Sequence, residues 1–153
     1  MDISQIKDNL GNSDPQQRLK AITELGNYES DVAVPILLTK KQDPEFLVRS
    51  FVAMGLGKKR TADSFAALLE MMKLDKDPNV RAEASNSLSL FGEAAAPHLC
   101  LLFHQDDNWL VRRSILAALM ELNCPEERFE VSVCGLTGED FTVQEASVAV
   151  LGS

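Results

Sequence analysis

Apolar positions recur along this chain in two alternating series. In the first, Leu25, Leu56, Leu88, Leu119 and Leu151 follow one another at a near-constant interval. Seven places before each stands Arg18, Arg49, Arg81, Arg112 or, in the last copy, Gln144. Three places after that anchor come Ala21, Val52, Ala84, Ile115 and Ser147. Offsets of 0, 3 and 7 lie along one stripe of a 3.6-residue helix, so each copy predicts an amphipathic helix, here termed B. Four places before the anchor stand Asp14, Glu45, Asp77, Asn108 and Asp140, residues suited to capping free N–H groups. Pro15 and Pro78 then fit the first helical position. Asp43-Pro44 comes two residues earlier than its counterparts, so that helix is expected to begin sooner. Gly26, Gly57 and Gly152 follow the repeated Leu and are expected to permit left-handed helix ends.

The second series lies between these helices. Val34-Pro35-Ile36-Leu37-Leu38, Phe65-Ala66-Ala67-Leu68-Leu69 and Ala96-Pro97-His98-Leu99-Cys100 repeat at a constant interval, with Glu127 to Val131 as a weaker fourth copy. Residues 3 to 10 supply the opening helix. No segment carries a strand pattern. The expectation is an all-α chain, one α-α superhelix of about five antiparallel helix pairs, with repeats near 1–27, 31–58, 62–92, 94–123 and 125–153.

Composition narrows the function classes. The 153 residues include 45% hydrophobic and 25% charged residues, a composition that can fill a core. No apolar run reaches the roughly 18 residues or more of a membrane span. The opening Met1-Asp2-Ile3-Ser4 has neither the basic nor the apolar region of a signal peptide. Three cysteines without framework spacing fit reduced thiols, so a cytoplasmic location is expected. A net charge of −8 repels phosphate backbones and argues against a nucleic-acid partner, including a glycosylase-like use of the fold. Lys58-Lys59-Arg60 reads as a solvated turn.

The repeated motif resembles the HEAT repeat, and more narrowly the phycobilisome-lyase HEAT-like repeats. The resemblance is carried by Asp77-Pro78-Asn79-Val80-Arg81, with Ala84 and Leu88, and by Asp43-Pro44, Val48-Arg49, Val52 and Leu56-Gly57. It spans about residues 3 to 152. It implies a HEAT-like solenoid in which Arg18, Arg49, Arg81 and Arg112 tie adjacent repeats through Asp or backbone carbonyls. Asp14, Asp77 and Asp140 are assigned to the same structural set. The motif is specific for fold and unspecific for function. Two functions follow from it: an adaptor or scaffold in phycobilisome assembly or turnover, whose partner is a protein such as a phycobiliprotein, or a bilin lyase subunit with a phycobilin as cofactor. For the second, Arg112, Arg113 and Lys20 are the propionate partners to consider.

In a HEAT-like stack the B helices line the concave side. The solvent stripe of helix B then falls near offsets 2, 5 and 9 from the anchor. It gives Lys20, Phe51 and Glu83, then Met54 and Asn86, then Glu121. These columns are heterogeneous where the core columns are uniform, as a specific binding face requires. Phe51 and Met54 are apolar at solvent offsets, or belong to the core if the helix is rotated slightly. Trp109 shares the slot of Pro15, Phe46, Pro78 and Phe141. Packing beneath the turn is the first reading of that slot, and a rim anchor the second. Arg113 stands where other copies hold Leu19, Ser50, Ala82 and Glu145, so it belongs to no structural column.

Catalytic clusters are not visible. His98, Cys100 and His104 lie close in sequence, but Cys100 occupies the core column of Leu38 and Leu69, and positions 98 and 104 point in different directions on a helix. No CxxC or HExxH spacing occurs, so no metal site is expected. Cys124, before Pro125, is expected to be an accessible thiol. The exposed stripe of the last helix, with Val148 and Leu151, implies a dimer or further repeats at the C-terminal end.

Overall fold

The computed structural model describes residues 1–138 and 140–152 of the chain. Ten α-helices form among the described residues, and no strand. They are α1 (Ile3–Leu10), α2 (Pro15–Glu24), α3 (Ser30–Leu38), α4 (Phe46–Lys59), α5 (Ala62–Leu74), α6 (Pro78–Ser89), α7 (Ala96–Gln105), α8 (Trp109–Met120), α9 (Pro125–Leu136) and α10 (Phe141–Leu151). Single 3₁₀ turns follow α2 and precede α7. The odd-numbered helices form one layer and the even-numbered B helices the other, an α-α superhelix of five pairs. Successive B helices pack on one another more closely than successive odd-numbered helices do. The layer with the shorter spacing lies inside the curve, so the B layer is concave.

The boundaries have local causes. Asp14, Asp77, Asn108 and Asp140 each accept a hydrogen bond from a backbone N–H of the first turn that follows. Pro15 and Pro78 occupy the first helical position. Glu45 caps nothing with its side chain, yet α4 starts at Phe46, in register with its counterparts and not sooner. Asp43 is reserved for another task.

The glycine expectation needs correction. Among the described residues the left-handed positions are Gly92, at φ 86°, and Arg60, at φ 35°, which ends α4. Gly57 lies inside α4 and serves close packing instead. A Cβ there would lie 2.7 Å from the Ser87 Cβ, so its hydrogen lets α4 and α6 approach. The fourth copy of the outer series is also displaced. Leu99, Cys100 and Phe103 are buried in α7, while Val131, Ser132 and Gly135 are buried in α9. Each buried position of α9 thus falls one place later than the constant interval predicts, and Phe129 turns outward.

The core is a continuous apolar seam between the layers. Leu25, Leu56, Leu88 and Leu119 are buried, as are Ala21, Val52, Ala84 and Ile115. Leu151, the fifth member, is exposed, as is Val148.

A polar row runs beside this seam. Arg18 donates from Nε and Nη2 to both carboxylate oxygens of Asp43, at 2.9 and 3.1 Å. Arg49 pairs with Asp75 in the same way at 2.9 and 3.2 Å, and the Arg81 Nε donates to Asp106 at 2.8 Å. Each Asp is six places before the Arg of its own repeat. Its backbone carbonyl accepts from that Arg: Asp43 from Arg49, Asp75 from Arg81, Asp106 from Arg112. Its carboxylate also accepts the N–H two residues on, at Glu45, Asp77 and Asn108. The result is one chain of bonds, Arg18–Asp43–Arg49–Asp75–Arg81–Asp106–Arg112, crossing four repeats. Asp14, Asp77 and Asp140 stand outside it and cap their own helices. The inter-repeat acceptors are Asp43, Asp75 and Asp106. The fifth copy holds Gly138 in that column, and Gln144 reaches its carbonyl. Among the described residues Arg112 therefore meets no carboxylate there, and it lies over the Phe103 ring, 4.8 Å from its centroid.

The basic triplet is a second link rather than a free turn. Lys59 donates back to the Gly26 and Tyr28 carbonyls, and Arg60 forward to that of Leu90. Lys58 is exposed, and its side chain makes none of these links.

This packing carries two stability predictions. Removing one member of a buried ion pair strands its partner, so Arg49→Ala should cost about 3 kcal/mol or more in urea unfolding. Arg112→Ala, with a carbonyl and a ring as its partners, should cost about 1 kcal/mol. Equal costs would contradict the ladder as the source of cohesion. Gly57→Ala should destabilise by about 1–3 kcal/mol although alanine favours helix, because its methyl meets Ser87. Gly26→Ala, with nothing within 4 Å of its Cβ position, should be neutral or mildly stabilising in the same assay.

Candidate functional site

The concave face is built from the outward stripe of the B helices, and the core stripe fixes its direction. Lys20 on α2, Asn86 on α6, Arg113 on α8 and Glu121 after α8 are exposed. Phe51 and Met54 on α4 and Glu83 on α6 are half-buried, and Phe51 packs in part against the core. The first two are thus split between surface and core. The stripe carries both signs of charge along one layer. Arg113 departs from its column in a further way: Leu19, Ser50 and Ala82 are buried there, whereas the longer Arg113 side chain reaches solvent. It borders a shallow depression with Thr142, Glu145 and Ala146.

These residues do not form one patch. Trp109 and Glu121 stand at opposite ends of α8, about 18 Å apart along the helix. Trp109 belongs to another feature, at the N-terminal ends of the B helices. Packing beneath the turn is not what happens there. Phe46, Trp109 and Phe141 are 43%, 45% and 70% exposed. Each stands at the first position of its helix, before the chain has turned its side chains into the seam. Three aromatics therefore form a broken row along one edge of the concave layer, with Leu47 exposed beside Phe46.

The cysteines also sort differently from expectation. Cys124 is buried, and its thiol donates to the Leu119 and Leu122 carbonyls, so it is not an accessible thiol. Burial first, and then the Glu127 carboxylate, push its thiol above the ordinary range. Cys100 is buried as its column implies, but at the mouth of a polar cluster. His104, one turn along α7, and Glu130, from α9, converge on its sulfur. Burial, then the charge of Glu130, push the Cys100 thiol up to about 11. Such a thiol is protonated at neutral pH and is a poor nucleophile. His98 points elsewhere and meets the Phe65 ring edge-on at 5.5 Å.

The HEAT-repeat family profile matches residues 3–75 and 38–120, more than half of the chain. The chain belongs to the HEAT-repeat family. No curated protein sequence matches it. Among solved structures it is similar to a chain in the complex of CpcE and CpcF of phycocyanin lyase from Nostoc sp. PCC7120. The TM-score is 0.73 at 20% identity, covering 98% of this chain and 99% of that one. Similarity at that identity establishes the shared superhelix. Among the described residues no helix is long and apolar enough to cross a membrane.

Sequence reasoning passed over three residues of this HEAT-repeat frame and one of its surface. Asp43, Asp75 and Asp106 recur at the repeat interval, a column as regular as the arginines. Comparing offset −6 with offset 0 would have found them. Glu130 could not be found that way, because its meeting with Cys100 and His104 depends on how α9 lies on α7.

Glu83 supplies a test of the face's polarity. Burial holds its carboxyl above the ordinary range, against a hydrogen bond with Ser87 that lowers it. The charged form is therefore disfavoured in the fold. Its cost is absent below the carboxyl's unfolded pKa and appears as pH rises through it. Glu83→Gln should raise the melting temperature at pH 7 by up to about 2 °C, and the gain should vanish near pH 4. A gain that persists at low pH would contradict this environment.

Proposed function

We propose that the chain is a non-catalytic scaffold that binds another protein along the concave B layer, with the aromatic edge as its anchor. The observation that carries this is the row of Phe46, Trp109 and Phe141. Large aromatics in solvent at corresponding positions of separate repeats have no role in the seam, and such side chains dominate protein interfaces. The mixed charges of Lys20, Asn86, Arg113 and Glu121 lie on the same layer and suit a polar rim. The likeness to a chain from a two-protein complex supports a phycobiliprotein, or a protein that modifies one, as the partner class.

A second reading is a bilin lyase subunit. It is favoured by the likeness to a phycocyanin lyase chain over nearly its whole length. A tetrapyrrole needs an apolar groove with cations for its propionates. Arg113 is exposed on the concave layer, whereas Arg112 is engaged with the Asp106 carbonyl and Phe103.

One experiment addresses both readings. Wild type and the triple variant Phe46→Ala, Trp109→Ala, Phe141→Ala are compared by crosslinking capture, and by titration against the captured protein once purified. Two or more hot spots lost together should weaken binding at least about 30-fold, with circular dichroism unchanged. Equal affinity of the two proteins would sink the anchor. Adding phycocyanobilin and apo-phycocyanin to wild type should leave the pigment spectrum unshifted and untransferred. Transfer to the apo-protein would favour the lyase reading instead.

A further inference from the structure

We propose that Cys100, His104 and Glu130 bind a zinc-class divalent metal ion, which joins α7 to α9 and keeps one coordination position open to solvent. Cys100 and His104 are four residues apart on α7, so their side chains share one face a single turn apart. Glu130 reaches them from α9 of the next repeat. The Cys100 Sγ lies 4.0 Å from the His104 Nε2 and 3.6 Å from the Glu130 Oε2. The Glu130 Oε1 lies 3.0 Å from the same His104 Nε2. Tetrahedral zinc with ordinary bond lengths would space sulfur and nitrogen by about 3.6 Å, sulfur and oxygen by about 3.6 Å, and nitrogen and oxygen by about 3.3 Å. The sulfur–nitrogen separation is within about 0.4 Å of that arrangement, each Glu130 oxygen lies close to one of the other two donors, and with a single carboxylate oxygen the three donor atoms all lie within 4.8 Å of one another.

Other uses of the trio fit less well. In a cysteine–histidine–carboxylate relay the thiol and the acid address opposite nitrogens of the imidazole. Here both address Nε2, so no proton can pass through the ring from one to the other. A plain His–Glu ion pair needs no sulfur, and the positions matching Cys100 in the two preceding repeats are Leu38 and Leu69. Three donors of three different types converging on one point instead match the set that zinc selects.

The surroundings favour a cation. Glu127 stands one turn before Glu130, and its charge is felt at Cys100. The side chains of His104 and Glu130 are 37% and 61% exposed, so an ion can enter and a water can complete its shell. Binding would replace the Cys100 S–H proton by the metal, with about one proton released to the buffer and no change of oxidation state. The ion would then clasp the fourth repeat to the fifth. That is the junction where the Arg–Asp row runs out, since Gly138 offers Arg112 no carboxylate.

The test uses the chelator-treated, tag-free chain with zinc or cobalt ions at pH 7.5. One equivalent should bind, zinc should raise the melting temperature, and cobalt should show thiolate-to-metal charge transfer with tetrahedral d–d bands. Cys100→Ser should abolish the charge-transfer band. His104→Ala and Glu130→Gln should each weaken zinc binding at least about ten-fold. Both of those side chains are on the surface, so these variants keep the fold even if Cys100→Ser does not. The proposal is overturned if His104→Ala binds zinc within two-fold of wild type. It is equally overturned if the sulfur band survives Cys100→Ser, or if no ion binds at about 100 μM, far above the Kd of a three-ligand site.

Discussion

The alternation of Arg18, Asp43, Arg49, Asp75, Arg81, Asp106 and Arg112 is the interaction on which the rest of this molecule depends. Each repeat alone is two short helices with one apolar face, too small to hold itself together. Apolar contact holds neighbours together but says little about their relative rotation. The bidentate pairs add direction, because a guanidinium and a carboxylate meet in a narrow range of geometry. Each aspartate is held three ways: by the previous repeat's arginine, by its own repeat's arginine through its carbonyl, and by its own turn. The angle between successive repeats is thereby set.

That fixed angle produces the concave surface. With the arginine, the repeated leucine and the small residue at offset 3 committed to the frame, the opposite stripe of each B helix is free to vary. It does vary, from Lys20 through Phe51 and Glu83 to Ser114. The same logic explains the edge aromatics. At the first position of a B helix the backbone has just left a capped turn, and the seam does not reach that far. Proline serves in two copies, and large aromatics stand in solvent in the other three. The last repeats relax several rules at once. Gly138 replaces the ladder aspartate, Gln144 the arginine, and Cys100, His104 and Glu130 meet on the opposite layer of the same junction.

Several local residues acquire meanings that their sequence neighbourhood hides. Gly57 follows a helix-ending leucine in the repeat but sits within a longer helix, where its missing side chain admits Ser87. Cys124 precedes a proline, a position that reads as an open loop, yet it is folded under the α8–α9 turn with its thiol bonded to carbonyls. Lys59 and Arg60 look like a solvated pair and are bound on both sides by neighbouring repeats.

The sequence by itself determined the number of helix pairs, the starts of the B helices to within two residues and the direction of their core stripes, though not that of α9. These are local matters: the helical period, a capping side chain and a proline at the first turn act over a few residues, and repetition down the chain multiplies the signal. Part of the candidate site was legible in the same way. Subtracting the uniform columns leaves Lys20, Asn86, Arg113 and Glu121, which do lie in solvent. Only the tertiary structure decided the rest. Whether Phe51 and Met54 are surface or core turns on a small rotation of the helix, and the periodicity does not resolve that. Which aspartates receive the arginines, whether the edge aromatics are covered, and that Glu130 reaches Cys100 and His104 all depend on how one helix lies against another. Those distances are set by the packing of whole repeats, and no single segment encodes them.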